Sequence, residues 1–161
     1  MSTIASLSEG QIEALAKVLG DCGTGSDISR VLQACGLEDK SGESTKWRRL
    51  YWVFMDSQRR YGCANHVLNF IQTFVTPARF VRRSEEFEEH RQKVNFILTF
   101  SGLEYGTDGK FRERTAAQTL EEAERRVRTI RAKFQGRQIH PEVLKYCQVE
   151  LMQDNYYHAG L

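Results

Sequence analysis

Residues 46–75, KWRRLYWVFMDSQRRYGCANHVLNFIQTFV, decide the fold class. Trp47, Leu50, Tyr51, Phe54 and Met55 fall on one line, and after Gly62 the pattern resumes with Val67, Phe70, Ile71, Phe74 and Val75. Apolar side chains three and four positions apart share one face of a helix, whereas a half-buried strand would alternate them. Each stripe needs a partner surface, and the flanking sequence supplies several.

Upstream, Ser8 and Gln11 form a capping box just before Ile12, Leu15, Ala16 and Leu19, and Gly20 stops that helix. The loop DCGTGS at 21–26 follows. Ser26 or Asp27 is placed to cap a second helix carrying Ile28, Val31, Leu32 and Cys35, closed by Gly36. The polar loop LEDKSGES at 37–44 then leads into the quoted stretch.

Downstream, Thr76-Pro77 marks a turn, with Pro77 suited to the first position of a short helix. Ser84 is placed to cap a longer helix with Phe87, Val94, Ile97 and Leu98 on its apolar side. Its acidic start (Glu85, Glu86, Glu88, Glu89) suits the positive end of the helix dipole and reads as solvated. LEYGTDGKFRER at 103–114 reads as two short strands around Asp108-Gly109, a hairpin signal. Thr119 and Glu122 form a second capping box. Leu120, Ala123, Val127, Ile130 and Phe134 then make a narrow stripe that ends at Gly136, with charge on the other faces. Pro141 opens a last helix with Leu144, Cys147 and Leu151 aligned. The expectation is a mostly α, multi-helix bundle of seven to eight helices with one small β-hairpin near residues 103–114. Residues 1–61 read as an N-terminal three-helix subdomain and 62–161 as a helical domain with the hairpin, ending at the start of a further helix, or the two form one continuous domain.

The net charge of +2 hides an asymmetry: residues 1–44 carry −4, residues 45–83 carry +7 and residues 84–161 carry −1. The basic segment holds Lys46, Arg48, Arg49, Arg59, Arg60, Arg79, Arg82 and Arg83. It is a candidate surface for DNA or RNA, unless the acidic ends of the same fold neutralise it. The helices on either side of loop 37–44 have helix-turn-helix lengths, although eight residues exceed the usual three or four between such helices. Trp47 belongs to the core stripe. Trp52 lies off it and, with Arg125, Arg128, Tyr156 and Tyr157, is a candidate protein-contact residue. Cys22, Cys35, Cys63 and Cys147 make no C-x-x-C pair, so neither metal nor cofactor is expected. The 20–26 loop lacks the Gly-Lys-Ser/Thr ending of a phosphate loop. With no long apolar run and no basic leader, the expectation is a cytoplasmic chain without a membrane partner.

Several separated blocks resemble the N-terminal region of the Ymh-type and AbiJ-like bacterial abortive-infection proteins. They are QIEALAKVLG (11–20), GSDISR (25–30), TKWRRLY (45–51), NHVLNFIQ (65–72), TPARF (76–80), VNFIL (94–98), SGLE (101–104), HPEVL (140–144) and DNYYHA (154–159). In that family a HEPN-like domain begins near the last block, and its ribonuclease motif, Arg-Asn-x-x-Ala-His, has no counterpart in this sequence. The resemblance therefore implies a non-catalytic sensor or regulatory domain of an anti-phage protein. Its expected partners are its own or a separate HEPN effector domain, a phage protein, or a second copy in a homodimer. The first alternative is a nucleic-acid-binding domain using residues 45–83. The second is a divergent HEPN-like ribonuclease built on Arg60 with His66 or Arg83 with His90, since such pairs can hold phosphate and move a proton. In so arginine-rich a chain such spacings also arise by chance.

Overall fold

In the computed structural model, residues 2–137 are described, with side chains described to residue 128. The decisive stretch forms α3 (Lys46–Tyr61) and α4 (Asn65–Phe74), hinged at Gly62. Gly62 has φ +69°, a left-handed conformation that glycine enters without a Cβ clash. The upstream stripes form α1 (Glu9–Gly20) and α2 (Gly25–Ala34), and the downstream ones α5 (Ser84–Leu98) and α6 (Leu120–Arg137). Strands β1 (Leu103–Tyr105) and β2 (Phe111–Glu113) pair antiparallel, with Glu104 opposite Arg112. Gly109 turns the hairpin at φ +75°, and a Cβ there would meet Pro77 Cδ at 2.7 Å.

α1 packs on α3 and α5, α4 packs on α3 and α2, and both β1 and α6 lie on α5. One hydrophobic cluster runs from Ile4 through Leu50, Phe54, Phe70 and Phe74 to Tyr105, with members on both sides of residue 62. The extended residues before α1 are clamped into it by two amides. Gln58 accepts from Leu7 N–H at 2.9 Å and donates to its carbonyl at 3.0 Å, and Asn65 does the same for Ile4 N–H and Ser2 O at 2.8 and 3.0 Å.

Several expectations need correction. Six α-helices occur among the described residues, not seven or eight. Pro77 opens only a 3₁₀ turn (Pro77–Phe80), and the helix expected from Pro141 lies outside the described residues. α2 is capped by Thr24, not Ser26 or Asp27, because Thr24 and Asp27 bond reciprocally as a capping box. Ser84 is the first residue of α5, and Arg83 occupies the cap without a side-chain bond. Gly136 sits inside α6 and does not end it. Leu120, placed in the packing stripe, is 63% exposed; only Ala123 and Val127 of that stripe are buried among the described side chains.

The largest departure is inside α5. Glu88, read as solvated, is buried, and so is Arg91 one turn later. The Arg91 guanidinium clamps both Glu88 oxygens and donates from a third nitrogen to Tyr105 O at 2.9 Å. Asn95 completes the junction, accepting from Tyr105 N–H at 2.6 Å and donating to its carbonyl at 3.0 Å. A buried charge stripped of its partner costs about 3–5 kcal/mol, whereas replacing both partners with apolar side chains is far milder. Arg91→Met is therefore expected to lower the unfolding free energy by about that amount in denaturant titrations. The double change Glu88→Leu/Arg91→Met is expected to lose less than Arg91→Met alone.

Candidate functional site

Half of the basic segment bonds other parts of the fold. Arg49, only 15% exposed, donates to Asp39 at 2.8 Å, to Gly25 O at 3.2 Å and to Ser29 Oγ at 2.7 Å, tying α3 to α2 and to the loop after it. Arg79 lies over the rings of Phe74 and Phe80, donates to Phe74 O and stands 3.9 Å from Asp27. Arg83 pairs with Glu86 at 3.2 Å and lies 4.9 Å from the centre of the Phe80 ring. Lys46 donates to Gly23 O. The acidic partners Asp27 and Asp39 both come from the negative first 44 residues. Lys46, Arg48, Arg59, Arg60, Arg82 and Arg83 are exposed, and only Arg49 and Arg79 are partly buried.

Arg48, Trp52, Met55 and Arg59 are spaced four, three and four apart, so they line one outward face of α3. Trp52 is half exposed. Its ring is met edge-on by Tyr51 at 4.9 Å, and the Tyr51 hydroxyl donates to Glu9 at 2.8 Å, so the indole is braced from α1. Across from this face runs the loop 36–45. Leu37 anchors its start in the core, Asp39 is held by Arg49, and Asp39 also accepts from Ser41 N–H at 3.0 Å and Ser41 Oγ–H at 2.6 Å. Such a side-chain-bonded turn holds a loop in one shape. Between loop and helix lies an open groove of about 650 Å³, lined by Trp52, Val53 and Met55 and by Glu38, Lys40, Glu43, Asp56 and Arg59. Lys40 pairs with Glu38 at 3.7 Å and Arg59 with Asp56. The carboxylate of Glu43 has no hydrogen-bond or ion-pair partner among the described residues.

The groove unites Trp52 and Arg59 but none of the other residues expected at a site. Arg125 and Arg128 are exposed on α6, where Arg128 stands 4.0 Å from Glu124, and Tyr156 and Tyr157 lie outside the described residues. Met55, Glu43 and the shaped loop escaped sequence reasoning. The one available signal was Asp39-x-Ser41, a spacing that favours a side-chain-to-backbone turn.

Neither arginine–histidine pair lines this groove. The guanidinium of Arg60 lies over Tyr61, which stacks on His66 at 3.9 Å. His90 is buried edge-on to Phe80, its Nε2 3.5 Å from the Glu86 carboxylate that Arg83 also holds. Burial lowers the His90 pKa, with Glu86 opposing. Burial also pushes the Cys22 thiol up to about 12, partly countered by Arg79, so at neutral pH it stays protonated. Among the described residues no helix is long and apolar enough to cross a membrane. No family model, curated protein or solved structure matches this chain.

Two expectations follow. Arg49→Ala should destabilise the protein by about 2 kcal/mol, since it leaves three acceptors without their donor, while Arg48→Ala should change stability by less than about 0.5 kcal/mol. Thermal melts of the two variants separate a structural cation from a surface one. Because the folded pKa of His90 lies below its unfolded value of 6.5, the unfolded chain takes up that proton first. Its contribution is complete above that pH and is lost as the pH falls below it, so the melting temperature should fall from pH 7 to pH 5 and His90→Gln should flatten the fall.

Proposed function

We propose that this chain is a non-catalytic recognition domain that works through protein–protein contact, with the α3–loop groove as its contact surface. The observation that carries the reading is the braced, half-exposed Trp52 at a groove with a preformed wall and charges of both signs at its edge. Tryptophan, methionine and arginine are the side chains enriched at the energetic centres of protein interfaces, and a mixed-charge rim is their usual surround. A phosphate backbone asks for something else, an unbroken run of free cations. Here Arg49 and Arg79 are held inside the fold, Arg83 is paired with Glu86 at the surface, and Glu43 and Asp56 face any polyanion approaching Trp52.

The sequence blocks shared with the abortive-infection proteins supply the setting. In it, the domain is the sensor or regulatory part of an anti-phage protein in the bacterial cytoplasm, and its partner is a HEPN effector domain or a phage protein. The test is association in trans with the HEPN half of such a protein, and capture from phage-infected cells, each with a Trp52→Ala control. Truncating an interface centre costs about 2 kcal/mol or more, roughly a thirtyfold loss of affinity. Trp52→Ala is expected to weaken the complex by at least that factor, read by titration calorimetry, and to leave the melting temperature within a few degrees. Full-strength association of Trp52→Ala would remove the groove from the contact.

A further inference from the structure

We infer that the groove is shaped for a cation: the partner's docking segment presents an arginine beside an apolar side chain, the guanidinium lying on Trp52 and bonding Glu43. The inference rests on the protein-contact reading and names the chemistry of the partner.

Three observations carry it. The groove has more carboxylates than cations, and both of its cations are engaged by its own acids, Lys40 by Glu38 and Arg59 by Asp56. That leaves the Glu43 carboxylate as the one lining charge without a counter-ion among the described residues. Second, the two tryptophans are treated differently. Lys17 Nζ lies 4.8 Å from the centre of the Trp47 ring and the Arg48 guanidinium 5.5 Å from it, whereas no cation of the described residues lies over Trp52. An indole face attracts a cation within about 6 Å, and more strongly where water is displaced. Third, Trp52 and Glu43 line the same cavity, one from α3 and one from the loop. A planar guanidinium can stack on an aromatic face while its N–H groups bond a carboxylate, a combination that ammonium does not match. The adjoining Val53 and Met55 supply apolar surface for the neighbouring side chain, and a volume of about 650 Å³ admits more than one residue.

The test uses the full chain and three fluorescein-labelled amphipathic peptides with one shared apolar pattern, their polar positions filled by arginine, glutamine or glutamate. Fluorescence anisotropy is expected to show the arginine peptide binding at least tenfold more tightly than the glutamine peptide, and the glutamate peptide most weakly. Glu43→Gln should take away most of that preference. Trp52→Leu, which keeps apolar contact but removes the ring face, should weaken the arginine peptide several-fold. Equal binding of the three peptides, binding of none, or an arginine preference indifferent to Glu43→Gln would overturn the inference. So would a dimer in sedimentation velocity that Trp52→Ala dissolves, because a second copy would then be the occupant. A HEPN or phage partner that needs Trp52 but ignores Glu43→Gln would end the cation inference while leaving the contact surface in place.

Discussion

The fold is organised around one buried ion pair, Arg91 with Glu88, and the strand carbonyl that completes it. Neither side chain has access to enough water to be hydrated, so the pair persists only because almost every valence is matched inside the protein. Glu88 gives both oxygens to Arg91, and Arg91 gives its remaining nitrogen to Tyr105 O, which Asn95 also holds. Tyr105 then donates its hydroxyl to Val75 O at 2.7 Å, just past the end of α4. One polar chain therefore joins α5, the hairpin and α4. A slip of β1 by one residue would turn Tyr105 outward and leave a buried guanidinium and amide unpaired, and this penalty fixes how the hairpin sits on α5.

Charge matching of a looser kind arranges the other half of the molecule. The strongly basic stretch and the acidic N-terminal stretch meet as Arg49 with Asp39 and Arg79 with Asp27. Partly buried pairs like these stabilise modestly, but they decide where loops lie. Asp39 is the residue that both Arg49 and Ser41 grip, so the same contact that neutralises the basic helix also sets the wall of the groove. What the fold leaves over on this side is the outward face of α3 with Trp52 at its middle.

The stripes of α1 to α5 were legible because apolar spacing reports burial directly, and the hairpin was legible because Asp108-Gly109 fits so few other conformations. Trp52 was readable as a surface residue because it falls outside its own helix's stripe. Glu88 and Arg91 were not readable. A glutamate and an arginine three apart near an acidic helix start look like an exposed pair, and only the arrival of Tyr105 from a distant strand makes them interior. Leu120 fails in the opposite sense: it keeps the period of the α6 stripe, yet among the described residues it stays exposed. The groove was invisible for the same reason as the buried pair, since its two walls come from segments that periodicity treats separately and its polar loop reads as a connector.

A preformed wall matters for recognition. Ordering a flexible loop on binding consumes free energy that would otherwise appear as affinity, so a loop already held by Asp39, Ser41 and the core anchor Leu37 binds more tightly for the same contacts. The indole is likewise held before any partner arrives, because Tyr51 braces it and Glu9 holds the Tyr51 hydroxyl from another helix. Both walls are thus fixed by contacts that do not touch the ligand. In the proposed contact Arg49 would act on recognition at a distance, because it holds the loop that carries Glu43 without lining the groove itself. If the groove is the contact surface proposed above, stability and binding are coupled through one guanidinium, and the coupling runs from the charge pairing of the fold to the shape of the groove.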